Sequence, residues 1–305
     1  MAGLGRKALI KSNLDLWLND LFIRNNLYTN VASGEIDFYS RDVSRLIVSS
    51  DPSFVADNTI FQSPFKNWVH EDGVTSSTAG DLPPTVASGI IVDGTLYPTA
   101  TTSGAYAHII DYPNGRVIFD TALAGTPVVQ ADYSYKEVTV DFANSFDNEN
   151  KPLKIEMSYK DNPAQSGTDV YPFSDERTLP AVFIDILNRQ SKAYELGTRD
   201  AIADYFGVFH IWARNEFQLD LIEDILAEED HQVILGINFN TAAYPLLSKG
   251  EKNPAFTSYA AMAQLWTNSF WRRIYLEDVE PHKDTPLFEI ERSRMNFTAK
   301  VYPSA

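Results

Sequence analysis

Residues 88–97 read Ser88-Gly89-Ile90-Ile91-Val92-Asp93-Gly94-Thr95-Leu96-Tyr97. Ile90, Ile91 and Val92 are β-formers, as are Thr95, Leu96 and Tyr97, and Asp93-Gly94 between them tolerates positive φ at both central positions of a two-residue turn. The stretch therefore predicts a tight β-hairpin. A second hairpin follows, with Tyr106–Tyr112 leading into Pro113-Asn114-Gly115 and Arg116–Phe119 returning. Val129, Ala131, Tyr133 and Tyr135 then share one face, and Val138, Val140 and Phe142 share another after a shift, which predicts a third strand pair. Residues 89–142 thus form an antiparallel β module.

Upstream of the module the pattern changes. Leu14, Trp17, Leu18, Leu21 and Phe22 fall at helical spacing, with Ser12 and Asp15 as an N-cap pair. That apolar stripe packs either on its own domain or on a neighbouring subunit. Residues 25–84 mix short apolar patches with Ser and Asp and are read as loop-rich. Downstream, residues 144–174 contain a strand-like run, Leu153–Tyr159, and then Pro163, Gln165, Ser166, Gly167 and Pro172, a turn-rich junction between domains.

The last third alternates. Ala181–Leu187 and Tyr205–Ala213 read as strands, and Glu216–Asp230 as an amphipathic helix with Phe217, Leu221, Ile222, Ile225 and Leu226 on one face. Val233–Phe239 reads as a buried strand, Tyr259–Tyr275 as a helix carrying Met262, Leu265, Trp266 and Trp271, and Phe288–Val301 as one or two strands. Interleaving of this kind predicts a compact α/β unit. The expected fold class is α+β, in three parts: an N-terminal helical arm (1–30), an antiparallel β-rich module (31–160) and an α+β domain (175–305).

Composition narrows the function. The chain has 305 residues, 44% of them hydrophobic and 22% charged, which is ordinary for a globular protein. It contains no cysteine, so disulfides, thiolate metal sites and a cysteine nucleophile are excluded. No apolar run is long enough to span a membrane and no signal-peptide core is visible, so no membrane partner is expected. The formal charge is −16. Residues 51–150 carry 13 acids and 3 bases, and residues 201–250 carry 8 and 2, so these two stretches hold the entire excess. Tight nucleic-acid binding by phosphate neutralisation would need the opposite sign.

Catalytic signatures are missing. Neither G-x-x-x-x-G-K-[ST] nor G-x-G-x-x-G nor G-x-S-x-G occurs. His70, His108, His210, His231 and His282 are too scattered for a metal-ligand motif. Asp81 with Asp93, or Asp111 with Asp120, would supply the two carboxylates of a glycan hydrolase, but in so acidic a chain such pairs arise by chance. Asp141–Glu149 is oxygen-rich yet lacks the glycine of a calcium loop. The expectation is no catalytic residue, no cofactor and no metal.

The acids of the helix, Glu216, Asp220, Glu223, Asp224, Glu228, Glu229 and Asp230, are unaccompanied by any base. They make either a solvated face or a wall that repels something anionic, such as DNA moving past it.

The hairpin wording of residues 88–135 resembles β modules of tailed-bacteriophage structural proteins. From Leu179 to Asn240 the chain carries Tyr194-Glu195-Leu196-Gly197, then Phe209-His210-Ile211-Trp212-Ala213-Arg214-Asn215, the acidic helix, and a strand ending Asn238-Phe239-Asn240. That order is similar to the head–tail joining and tail-terminator proteins of such phages. The resemblance spans about half of the chain. It implies a tail-terminator-like second domain and a virion structural role at the neck, in particles assembled in the host cytoplasm. It also implies a homo-oligomeric ring, sixfold or twelvefold, that contacts other neck and tail proteins while DNA passes by. Another tail part (tube, baseplate or fibre attachment) is the alternative.

On this reading the interface candidates are Leu14, Trp17, Leu18, Leu21 and Phe22 on the helix, and Asp93, Gly94, Asn114 and Gly115 at the hairpin tips. The candidates for an acidic lumen are Glu216, Asp220, Glu223, Asp224 and Glu228.

Overall fold

A computed structural model describes residues 6–37, 40–49, 58–77, 80–99, 101–143, 179–193, 201–256, 258–264, 270–284 and 290–302. Helix α1 (Arg6–Arg24) comes first. Ten short strands follow: β1 (Tyr28–Val31), β2 (Arg45–Val48), β3 (Ile60–Gln62), β4 (Gly89–Val92), β5 (Thr95–Pro98), β6 (His108–Asp111), β7 (Arg116–Phe119), β8 (Val129–Gln130), β9 (Tyr133–Lys136) and β10 (Thr139–Phe142). Next come two long strands, β11 (Ala181–Ala193) and β12 (Ala201–Ala213), helix α2 (Glu216–Ala227) and strand β13 (Val233–Ile237). A short helix α3 (Tyr259–Gln264) and two more long strands, β14 (Phe270–Lys283) and β15 (Glu291–Val301), complete the chain.

The hairpin of residues 88–97 forms as its sequence requires. Ile90 pairs with Tyr97 and Val92 with Thr95 across a turn in which Asp93 and Gly94 both have positive φ (48° and 82°). It is one end of a seven-stranded antiparallel sheet in the order β5-β4-β8-β2-β3-β7-β6. Phe61, Ile90, Val117, Phe119 and Val129 fill its core with Trp68, whose ring stacks on Tyr133 at 4.0 Å. The expected third strand pair is absent. β8 joins this sheet, β9 pairs with β1, and β10 leaves to lie parallel to β11 in another sheet. Val129, Ala131, Tyr133 and Tyr135 still face one core, as their spacing predicts, while Val138 and Val140 turn to the core of the other sheet.

The α+β expectation, with its compact α/β second domain, is overturned. The structure is mostly β-sheet, built as three curled sheets. The second half is a six-stranded sheet, β10-β11-β12-β15-β14-β13, antiparallel at every pair except β10–β11. Its strands of 11 to 14 residues pair with one another directly instead of crossing over through helices. The expected helix over 259–275 is helical only to Gln264, and Phe270 onward is β14. Aromatic and β-branched residues there alternate between the two faces of a sheet, with Ile274 and Leu276 buried. Leu153–Tyr159, the junction after it, Tyr194–Gly197, Leu265 and Trp266 lie outside the described residues.

Helix α1 touches β10, β11 and β13, which include both edges of this sheet, so the sheet curls around the helix. Leu14, Leu18 and Leu21 meet Ile184, Phe209, Ile211, Leu226, Ile274 and Phe297 in one core. Helix α1 is described from Arg6 onward, so Ser12 is an interior residue, buried, and not the N-cap that its spacing to Asp15 predicts. Gly207 on β12 makes room for a side chain from the neighbouring strand β15. A Cβ there would stand 2.3 Å from the Phe297 ring and 2.7 Å from the Asp185 carbonyl, and Phe297 needs that space to stack on Phe209.

Candidate functional site

Two kinds of feature stand out: an ionic cluster between α1 and β9, and several surfaces that keep apolar side chains in solvent. The cluster begins with Lys136, an inward position at the end of β9. Its Nζ donates to Glu71 Oε1 at 2.5 Å and to Asn19 Oδ1 at 2.9 Å. Glu71 Oε2 accepts from the backbone N–H of His70 at 3.0 Å. Asn19 Nδ2 in turn donates to the Asp15 carbonyl at 2.9 Å, tying the cluster to α1.

Burial sets the charges here. It alone would raise Glu71, but His70 and Lys136 hold this carboxyl down at about 2. His70 is lowered to about 4 by burial, despite Glu71 beside it. Asp15 is raised to about 7, first by burial and then by Asp141 and Glu71, against the pull of Lys136. Tyr244 is pushed up to about 12, by burial and by Asp15. The cluster is a structural joint that ties β9 and the His70–Glu71 segment to α1.

Next to it, Phe65, Tyr135 and Lys136 face Leu179, Pro180, Arg214 and Leu221 across a cleft of about 230 Å³. That volume is below the ordinary range for small-molecule sites. Asp111, one of the paired-acid candidates, is engaged: its Oδ2 accepts from Arg116 Nε at 2.7 Å and from Asn114 Nδ2 at 2.8 Å. Among the described residues, no three His, Asp or Glu side chains are grouped to hold a metal ion.

The sequence-derived interface candidates separate. Leu14, Trp17, Leu18, Leu21 and Phe22 are buried in this chain's own core, which accounts for the stripe without a neighbour. At the first hairpin tip Asp93 and Gly94 are exposed, and the Asp93 carboxylate accepts from Val128 N–H at 2.9 Å. At the second tip Gly115 is buried. A Cβ there would lie 2.0 Å from the Phe65 carbonyl, and Asn114 is half-buried. That tip is packed against the loop from Ser63 to Trp68, so only the first projects.

The acidic helix presents less free charge than its sequence does. Asn215 caps α2 by accepting from Gln218 N–H. Glu223 is buried, and Glu216 and Asp220 share Lys283 at 3.4 and 2.7 Å. Asp224 and Glu228 are exposed. The inward face is Leu219, Ile222, Ile225 and Leu226, so Phe217 and Leu221, expected on that face, point outward. Phe217 is 77% exposed and shares a ridge with Leu221, Asp224 and Glu228 at i, i+4, i+7 and i+11.

Sequence reasoning missed one further surface. Leu187 is the extra residue of a bulge, between the pairs Ile186–Gly207 and Asn188–Phe206, and the bulge turns it out to 59% exposure. It lines a cleft of about 430 Å³ with Arg6, Lys7, Asn188, Arg189 and Tyr205. The period-2 pattern of β11 gives no sign of the bulge. The two bases at the start of α1 are the only trace of the cleft in the sequence.

No family model matches the chain, and no curated protein matches it.

Proposed function

We propose that this chain is a structural subunit of a virion, at the head–tail interface of a tailed bacteriophage, where copies of it form a ring that joins tail to head. One observation carries the assembly role. β5 is the outer strand of the seven-stranded sheet, and among the described residues no strand pairs with its free edge. In a hairpin with a two-residue turn the ladder alternates, so Leu96, opposite Ile91, turns its backbone N–H and C=O to that edge. Its side chain is 59% exposed as well. An edge with open backbone groups and an apolar side chain accepts a strand from another chain.

The hairpin and helix wording supports the head–tail assignment by resemblance. The net charge of −16 supports it physically, since a negative particle gives passing DNA phosphates nothing to adhere to. The test is to image the assembled chain. Closed rings with a central hole wide enough for a duplex are expected; extended tubes would move the assignment to a tail-tube component.

A further inference from the structure

Arg6 and Lys7 stand at one end of α1, exposed and without an ion-pair partner among the described residues. Arg189 lies beside them on β11, with its guanidinium over the Tyr205 ring at 5.6 Å. Together with the bulged Leu187 these side chains line one cleft, so its wall is apolar in one place and cationic in three. The Tyr205 hydroxyl, on the same wall, is buried and has no hydrogen-bond partner among the described residues. In a chain of this net charge such a cleft is an anomaly that calls for an acidic occupant.

The same chain carries a surface of matching chemistry. The α2 ridge offers Phe217 and Leu221 as apolar groups, and Asp224 and Glu228 as exposed carboxylates. Tyr205 and Ala213, the end from which α2 departs, are eight residues apart on β12. At the usual rise that separates the cleft from the helix start by roughly 26 Å. Phe217, at the start of the ridge, is therefore too far from Leu187 to meet it within a subunit. Two different, complementary patches that cannot meet within one copy are what a head-to-tail contact needs, and such a contact closes into a ring when its rotation permits.

We infer that the α2 ridge of one copy docks into the cleft of Leu187, Arg6, Lys7 and Arg189 on the next copy, with Phe217 against Leu187 and Asp224 and Glu228 facing the bases. This rests on the ring assignment and deepens it. It places α2 at the subunit contact and not along the lumen.

The absence of native cysteine makes the test direct. Leu187→Cys and Phe217→Cys in one chain, oxidised and run without reductant, give a ladder of dimers, trimers and higher species if the surfaces meet head to tail. Each single variant gives at most dimers. In parallel, Arg189→Glu and Asp224→Arg are each expected to weaken self-association by about tenfold or more, and to restore it when mixed, because the two altered surfaces suit each other. Absence of the ladder together with unchanged self-association of Arg189→Glu overturns the contact. If rings still form in that case, the ring assignment stands and only this contact falls. Lost retention of Arg189→Glu on a polyphosphate matrix with intact self-association also overturns it, since the cleft would then serve a different anion. A wild-type chain that stays monomeric at its highest soluble concentration overturns contact and ring together.

Discussion

Asn13, in the middle of α1, makes both backbone hydrogen bonds that Ile237 of β13 lacks within its sheet. Its Oδ1 accepts from Ile237 N–H at 2.6 Å, and its Nδ2 donates to the Ile237 carbonyl at 3.0 Å and to the Leu9 carbonyl at 2.7 Å. The ladder between β13 and β14 shifts register between Leu235 and Ile237, so this is where a buried backbone would otherwise be left unpaired. One fully buried side chain thereby fixes the helix to the edge of the sheet that curls around it.

Asn13→Ala strands these groups in the core. At about 1–3 kcal/mol for each unsatisfied buried group, a loss of roughly 2–4 kcal/mol is expected. Chemical denaturation reads it as a lower midpoint at unchanged slope, and Asn13→Asp does not rescue it, because the donor to Ile237 is gone.

Gly207→Ala collides with the Phe297 ring and the Asp185 carbonyl. Neither the stacked ring nor the strand backbone has room to give, so a cost of about 1–3 kcal/mol or more is expected. The same change at Gly34, where a Cβ meets nothing, carries only the cost of a positive φ.

Glu71→Gln leaves the Lys136 ammonium buried without its counter-charge and is expected to destabilise the chain by about 3–5 kcal/mol. The double change Glu71→Gln, Lys136→Met removes the orphaned charge and recovers part of that loss. A thermodynamic cycle over the four proteins separates this coupling from simple loss of packing.

Asp15 links stability to pH. Its folded-state value of about 7 lies above the ordinary 3.8, so the folded chain holds a proton that the unfolded chain releases. The stabilisation from that proton is fully present below about pH 4 and is lost as pH rises to 7. Asp15→Asn removes the dependence: it is expected to stabilise the protein at pH 8 by about 1–3 kcal/mol and to change little at pH 4. His70 and Glu71, both lowered, act in the other direction. Their contribution declines as pH falls from about 6.5 toward 2, so the Asn variant is expected to lose stability in acid more steeply than the wild type.

Local chemistry made part of this fold readable. Asp93-Gly94 admits one kind of turn, and β4 and β5 follow from it. The aromatic run Tyr205–Ala213 was equally legible, whereas the buried strand expected over Val233–Phe239 forms over Val233–Ile237 with Val233 exposed. What was not legible depends on partners distant in sequence. Nothing near residue 139 says that β10 pairs with β11 in parallel, and nothing near Tyr259 says that α3 ends at Gln264 and the chain re-enters a sheet. Apolar character alone predicts Phe217 on the buried face, yet it sits two residues before Leu219 and so on the far side of the helix. The joint of Asp15, Glu71 and Lys136 gathers residues far apart in sequence, so spacing could not find it. The exposed side chains of Leu96, Leu187 and Phe217 are visible only once the core has claimed the others.

The ring itself is tested most directly by light scattering on the purified chain, with negative-stain images of the same peak. A closed ring of six or twelve copies with an open centre is expected, dispersed at high salt as the charged contact is screened. A single species of monomer mass at every concentration and salt would contradict it.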